Sequence, residues 1–334
     1  MNTVAPICSD KECKVQVDGK CRLKHDPVES CPNYAAQKNV VNEAVAEEEP
    51  RTAPPVKIWS SDKMLLDDLA AFARRRQLRN VALVGEEKVG KTTLLTSIYG
   101  KYCKGPFAGL MFAGSETLLA FARLQAFALL SSGRTSPTVP RTSRRDPVSF
   151  FHLALARARG DVVDLVIADR SGETYAAART STELIPTLEE LRQADRVCFL
   201  LDGGRLASKD QRTAYTRHFR QMINALHDNG GLTRAKDVEI LSTKFDITRS
   251  SDDEEENIQF LDEYQGRIVS DFKAKGLKIS SHRICALPKA DRSLGIVGLD
   301  DMIRRWTAPE PPPNVTPPPV HGASRQIDRL LSKL

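Results

Sequence analysis

Residues 81–92 read VALVGEEKVGKT, an apolar run followed by a loop bounded by glycines and then by a helix-favouring segment. From Gly85 to Thr92 the residues match the spacing G-x-x-x-x-G-K-T of the phosphate-binding loop. Glycine allows backbone angles that let successive N–H groups wrap a polyphosphate, and the following helix adds the positive end of its dipole. The stretch therefore predicts the strand, loop and helix of a P-loop α/β fold.

The positions of this loop have distinct predicted roles. Lys91 is expected to bridge the β- and γ-phosphates, and the Thr92 hydroxyl is expected to bind a magnesium ion. A chance match is disfavoured because an apolar strand directly precedes the loop. The other predicted nucleotide contacts here are Gly85, Glu86, Glu87, Lys88, Val89, Gly90 and Thr93.

A second motif, DRSG at residues 169–172, follows the apolar stretch 164–168. Asp169 is predicted to hold magnesium through water, and the Gly172 amide is predicted to contact the γ-phosphate. An Asp-x-x-Gly sequence alone also describes a common turn. Its place after a buried strand and downstream of a phosphate loop favours the functional interpretation.

Two further motifs favour guanine as the base. In TKFD, residues 243–246, the Asp246 carboxylate can accept hydrogen bonds from N1 and N2 of guanine, which adenine cannot reproduce. A site built around a buried acceptor rejects the wrong base because the acceptor is then left unpaired. In CAL, residues 285–287, a backbone N–H can donate to guanine O6, although this tripeptide alone is nearly uninformative. The predicted guanine contacts are Thr243, Lys244, Asp246, Cys285, Ala286 and Leu287.

Taken together, GEEKVGKT, DRSG, TKFD and CAL resemble the motif set of the translation-factor and Ras-related class of GTPases, over about residues 80–307. The cysteine-rich front end and the segment FAGSETLL at 112–119 are similar to the double-GTPase family of bacterial conflict systems. This resemblance implies GTP or GDP and Mg²⁺ as cofactors, hydrolysis of GTP to GDP and phosphate, a protein effector as partner and a role in antiviral defence.

The sequence departs from the usual pattern of that class in three places. Thr243 stands where Asn is commoner, which related GTPases tolerate. Glu173 stands where many relatives carry the Gln that orients the attacking water, so intrinsic hydrolysis is expected to be slow. An apolar helix at 116–130 enlarges the segment before Asp169. Within that segment Thr142 is the candidate for the switch-one contact to γ-phosphate and magnesium, with an ordinary loop threonine as the alternative and Thr138 in reserve.

Downstream of the loop, short apolar runs alternate with helical segments, which predicts a mainly parallel sheet with helices on both faces. A prediction for the chain as a whole divides it into four parts: a cysteine-rich module at 1–34, a linker at 35–59, the P-loop domain at 60–307, and a proline-rich connector with an amphipathic tail at 308–334. The tail is expected either to fold back on the core or to dock a partner.

Composition narrows the classes of protein. The 334 residues are 41% hydrophobic and 28% charged, which is typical of a folded soluble protein. The net charge of +6 is compatible with nucleic acid, but the basic residues are scattered and give it no further support. Polar residues interrupt the most apolar stretch, 107–130, so no transmembrane segment is predicted. Seven cysteines, an odd number, and the lack of a secretion signal favour the cytoplasm.

Cys8, Cys13, Cys21 and Cys31 have the spacing C-x4-C-x7-C-x9-C. Four thiolates could hold a tetrahedral zinc ion and stabilise a segment too small to build a core. The spacing lacks the paired C-x2-C of common zinc fingers. An iron–sulfur cluster and free or redox-active cysteines therefore remain alternatives.

The preferred hypothesis is a GTPase switch with slow turnover. A nucleotide-gated adaptor with little or no turnover is the first alternative, and Glu173 favours it. A nucleic-acid-binding zinc protein regulated by nucleotide ranks last, because the cysteine module lacks interleaved aromatic residues and a dense basic face.

Overall fold

The computed structural model of the chain describes residues 8, 10, 12–35, 61–128, 146–251 and 253–309. These residues fall into two compact units, one within 1–58 and the other within 59–334. The first unit contains the one-turn helices α1 (Val15–Asp18) and α2 (Pro32–Ala35). Thr138, Thr142, most of the predicted linker and nearly all of the predicted tail lie outside the described residues.

In the second unit the described residues form one sheet of seven strands. Its strands are β1 (Leu78–Val84), β2 (Met111–Gly114), β3 (Ser149–Ala156), β4 (Val162–Asp169), β5 (Arg196–Asp202), β6 (Asp237–Thr243) and β7 (Ile279–Arg283). Their order across the sheet is β2-β3-β4-β1-β5-β6-β7. Strands β4, β1, β5, β6 and β7 run parallel, whereas β3 is antiparallel to both β2 and β4. The predicted mainly parallel sheet is confirmed.

The helices of this unit cover both faces of the sheet, as predicted. They are α3 (Leu66–Ala73), α4 (Lys91–Tyr102), α5 (Leu118–Ala128), α6 (Gly172–Ala178), α7 (Glu189–Gln193), α8 (Gly203–Ala207), α9 (Lys209–Asp228), α10 (Phe245–Arg249), α11 (Glu254–Ala274) and α12 (Leu299–Trp306). Among the described helices, none is long and apolar enough to cross a membrane.

Strand β1 shows why the apolar run VALV belongs in the middle of this fold. Val81 and Leu83 pack in the cluster formed with α4, α5 and α12. Ala82 and Val84 pack in the opposite cluster, which includes α9 and α11. Successive side chains of a strand point to opposite faces, so a central strand covered on both sides needs an uninterrupted apolar sequence.

The segment between α4 and β3 adds an edge strand, β2, and helix α5. A buried histidine of β3 fastens its middle: His152 Nδ1 accepts a hydrogen bond from the Glu116 N–H at 3.0 Å. The Nε2–H of the same ring donates to Asp164 Oδ1 at 3.0 Å. Burial lowers the pKa of His152 although Asp164 favours the charged ring. The neutral ring therefore holds the segment between α4 and β3, which we call the inserted segment, on the sheet.

Candidate nucleotide-binding site

The four predicted motifs meet at the carboxyl ends of parallel strands. Gly85 follows β1, Asp169 ends β4, Thr243 ends β6, and Cys285 lies shortly after β7. Open α/β sheets bind ligands at this edge. Because β1 lies between β4 on one side and β5 and β6 on the other, the phosphate loop separates the DRSG motif from TKFD and CAL.

The phosphate loop has the backbone shape that its glycine spacing predicts. Gly90, at the end of the loop, has a φ of 105°, in the left-handed region that favours glycine. Lys88 also has a positive φ, 62°. Helix α4 begins immediately after Gly90, so its first backbone N–H groups lie at the loop and form a ready site for an anion.

Lys91 lies folded under this loop with only 7% of its surface exposed. Its Nζ donates to the carbonyl oxygens of Gly85 at 2.7 Å and Glu86 at 3.1 Å. Burial lowers the pKa of Lys91 to about 8, although the carboxylates of Asp169, Glu87 and Glu86 favour the ammonium form. A polyphosphate in the loop would add negative charge beside the amine and favour its charged form.

The two predicted magnesium ligands, Thr92 and Asp169, line one cavity of about 160 Å³. A hydroxyl and a carboxylate are oxygen ligands of the kind that Mg²⁺ prefers, with water completing the shell. Asp146, three residues ahead of β3, and Ser149, the first residue of β3, line the same cavity. Sequence reasoning missed Asp146, although its position just ahead of β3 could have indicated it.

Gly172 begins α6 in direct contact with the phosphate loop. A Cβ added to Gly172 would lie 2.3 Å from the carbonyl carbon of Glu86 and 2.3 Å from the nitrogen of Glu87. No side chain fits at this distance, so glycine is required by the close approach of two backbones. Glu173 follows in the first turn of α6 and is exposed.

The second residue of DRSG is bound by a partner that the sequence did not indicate. Arg170 makes two hydrogen bonds to Glu190 of α7, at 2.6 and 2.8 Å. The Tyr175 hydroxyl of α6 donates to the same carboxylate at 2.9 Å. The Glu190 side chain is fully buried. This charge-assisted cluster fixes α6 against α7.

On the other side of the loop, TKFD and CAL enclose a cavity of about 330 Å³. Its volume is in the range of small-molecule sites. All six predicted guanine contacts line it, together with part of the phosphate loop and the start of α4. The lining residues are Lys88, Val89, Gly90, Thr93, Leu94, Thr243, Lys244, Asp246, Ile247, Ile284, Cys285, Ala286, Leu287 and Lys289.

Asp246, the predicted guanine acceptor, is 2% exposed. Its Oδ2 accepts from the backbone N–H groups of Lys289 at 2.8 Å and Ala290 at 3.0 Å. The Cys285 thiol donates to Oδ1 at 3.4 Å, and burial, followed by the Asp246 charge, raises the pKa of that thiol to about 12. A carboxylate has about four acceptor sites, so with three donors in place Asp246 retains capacity for one more, and a base that presents two donors would displace one of the three.

The first two residues of TKFD connect this cavity to its surroundings. The Thr243 hydroxyl donates to the Val89 carbonyl of the phosphate loop at 2.8 Å. Lys244 has a φ of 55° and its Nζ donates to Asp202 Oδ2 at 2.6 Å. A hydroxyl is therefore sufficient at position 243 to tie the base motif to the phosphate loop.

In the first unit, the Cys8 and Cys13 thiols are hydrogen-bond partners, and Cys21 contacts both Cys31 and Cys13. Donation from the His25 backbone N–H lowers the pKa of Cys21. Nevertheless, among the residues that the structure describes, no three or more His, Cys, Asp or Glu side chains are placed to hold a metal ion. The zinc prediction is not confirmed.

A model of the Double-GTPase 2 family matches residues 79–307. Among solved structures, the chain is similar to the signal recognition particle receptor SRb-GTP/SRX complex of Chaetomium thermophilum, with 16% identity, coverage of 70% of this chain and 97% of that one, and a TM-score of 0.39. The chain is also similar to the mammalian SRP receptor, with 17% identity, coverage of 68% of this chain and 100% of that one, and a TM-score of 0.37. For the Saccharomyces cerevisiae Ski7 GTPase-like domain bound to GTP, the identity is 16%, the coverage is 66% of this chain and 45% of that one, and the TM-score is 0.37. No curated protein sequence matches significantly.

Proposed function

Since the chain belongs to the Double-GTPase 2 family, we propose that it binds GTP, hydrolyses it to GDP and phosphate, and acts as a nucleotide-dependent switch. One observation carries the proposal. A phosphate loop with a buried lysine and a cavity built around the buried Asp246 carboxylate lie side by side on one edge of the sheet. Together they suit a purine nucleotide whose base donates two hydrogen bonds.

In the proposed reaction, water attacks the γ-phosphorus, and the bond to the β–γ bridging oxygen breaks to give GDP and phosphate. Lys91 offsets the charge that develops on the phosphates, and the Gly172 N–H contacts the γ-phosphate. Magnesium, when bound, neutralises phosphate charge, and Thr92 and Asp169 are the residues that would hold it. Glu173 orients the water less well than a glutamine would, because its charge repels the γ-phosphate.

Nucleotide selectivity tests the base site. GTP, GDP, ATP and xanthosine triphosphate are titrated with magnesium against wild type, Asp246→Asn and the exposed control Asp301→Asn. We expect wild type and the control to prefer GTP over ATP by orders of magnitude, and Asp246→Asn to move towards xanthosine. Equal binding of ATP and GTP by wild type would overturn the guanine assignment and leave a P-loop ATPase.

An adaptor with little or no turnover is the alternative. It is favoured by the carboxylate at Glu173 and by the engagement of Arg170 with Glu190, which occupies that guanidinium with another partner. Release of phosphate in a single turnover separates the two functions. Slow release of phosphate by wild type that becomes faster in Glu173→Gln supports the GTPase. Binding of GTP with no release of phosphate by wild type or by Glu173→Gln supports the adaptor.

For the first unit we propose that its four cysteines hold a zinc ion in the cytoplasm. The support is the proximity of Cys8 to Cys13 and of Cys21 to Cys13 and Cys31, together with the backbone N–H donation to Cys21. Metal analysis of protein purified without chelator should find about one zinc per chain, lost in Cys21→Ser. Iron would indicate a cluster, and no metal would leave free or redox-active thiols. The proposed protein effector and antiviral role rest on the family alone.

A further inference from the structure

Glu86 of the phosphate loop carries a carboxylate that is turned to two arginines. Its Oε1 lies 3.0 Å from Arg179, and its Oε2 lies 2.7 Å from Arg205. The carbonyl of the same residue accepts from Lys91 Nζ at 3.1 Å. Glu86 therefore joins the phosphate loop to the end of α6 and to α8.

One of these links reaches the far end of α6. Arg179 follows the last residue of α6, while Gly172 at the first turn lies on the Glu86–Glu87 peptide. Both ends of the helix are thus fixed to the same two residues of the loop. The Glu86–Arg179 pair thus ties the far end of α6 to the same loop that Gly172 contacts.

The other link runs to the base motif. Arg205 donates to the Glu87 carbonyl at 3.2 Å and lies 3.8 Å from Asp202 Oδ2. The same Asp202 oxygen accepts from Lys244 of TKFD at 2.6 Å. We call the series Lys244, Asp202, Arg205, Glu86 and Arg179 the Glu86 chain. It alternates in sign from the base cavity to α6.

The members of the Glu86 chain are shielded enough to interact. Their side chains are between 2% and 33% exposed, whereas fully exposed ion pairs contribute little. Loss of the Glu86 charge would leave Arg179 without the carboxylate that it faces, whereas Arg205 would keep Asp202. Loss of Arg179 would free the end of α6 and leave the rest of the chain in place.

We propose that Glu86 and Arg179 are positioning residues that hold α6 so that the Gly172 amide is already in place for a γ-phosphate. This inference rests on the proposed function. A preorganised contact favours the ligand that uses it, which is GTP, and has no effect on GDP, which lacks the γ-phosphate. Since coupling between sites is commonly 5- to 150-fold, we expect the pair to provide about a tenfold preference for GTP.

The test is a double-mutant cycle on the intact chain with Arg179→Gln, Glu86→Gln and the double variant. Affinities for GDP and for a non-hydrolysable GTP analogue are measured with magnesium. Arg179→Gln should weaken the analogue about tenfold and keep GDP affinity within about twofold. The ratio of the affinity for the analogue to the affinity for GDP should fall no further in the double variant than in either single variant, because all three variants break the same ion pair.

Arg192→Gln, which removes an exposed ion pair with Glu189 on α7, is the matched control and should keep the wild-type ratio. Melting temperatures identify any variant that fails to fold. If Glu86→Gln or the double variant fails, the test is the comparison of Arg179→Gln with wild type. An unchanged ratio in folded Arg179→Gln overturns the inference while nucleotide binding stands. Failure of wild type to bind either nucleotide overturns the proposed function as well.

Discussion

At the scale of single residues, Gly172 is the position with the least freedom. Its Cα lies so close to the phosphate loop that an added Cβ would be 2.3 Å from two backbone atoms. Backbone cannot turn aside as a flexible side chain can, so a side chain at position 172 would force α6 away from the loop. Lys91 and Asp246 are also constrained, but by hydrogen bonds that a ligand can share.

We therefore expect Gly172→Ala to lose at least about tenfold of its affinity for GTP relative to GDP, about 1.4 kcal/mol. Titration of both nucleotides measures the ratio. Gly266→Ala is the matched control, because a Cβ on that glycine of α11 meets nothing within 4 Å. A wild-type ratio in Gly172→Ala would show that α6 need not contact the loop.

At the scale of elements, α6 is held to α7 by a cluster with a buried charge. Glu190 accepts from Arg170 and Tyr175 with its side chain fully buried. Removal of one partner from a buried pair leaves the other charge without compensation. We expect Glu190→Gln to lower the free energy of unfolding by about 3 kcal/mol, measured by urea denaturation.

The neighbouring Glu189→Gln provides the control for that experiment. Glu189 pairs with Arg192 at 3.0 Å on the surface, and such a pair contributes about 0–1 kcal/mol. If both variants lost the same stability, the buried cluster would not be what fastens α6 to α7.

The inserted segment depends on His152 in a manner that pH can reveal. Burial lowers the pKa of His152 in the folded protein, so the unfolded chain binds the proton more readily. The contribution of neutral His152 to the free energy of unfolding is complete above about pH 6.5, the pKa of histidine in the unfolded chain. It declines as the pH falls below that value. Unfolding free energies across this range should decline less in His152→Gln, and equal slopes in both proteins would contradict this role.

At the scale of the whole molecule, the four motifs of the candidate site lie at the ends of four strands of one sheet, so we expect nucleotide binding to stabilise the fold. GTP with magnesium at about 100 times its dissociation constant should raise the free energy of unfolding by about 2.7 kcal/mol. ATP at the same concentration should give no comparable increase. Thermal unfolding of the intact chain measures both, and stabilisation by ATP alone would contradict the base assignment.

Much of this fold and site could be predicted from the sequence, because its determinants are local. The run VALV specifies a central strand, glycine spacing specifies the loop, and the mainly parallel sheet with helices on both faces is confirmed. TKFD and CAL line one cavity because each follows a strand of the same parallel sheet. Their roles in binding stay predictions, as does Thr142, which lies outside the described residues.

The partners of these residues could not be predicted, because they come from distant parts of the chain. Arg179 and Arg205 are 93 and 119 positions from Glu86, and Asp246 is held by backbone N–H groups more than 40 residues later. Sequence by itself determined the central strand β1, the phosphate loop and the residue types of each motif, since backbone preference and side-chain period act between neighbours. Only the tertiary structure decided which charged side chains meet, since that depends on the spatial order of the strands in the sheet.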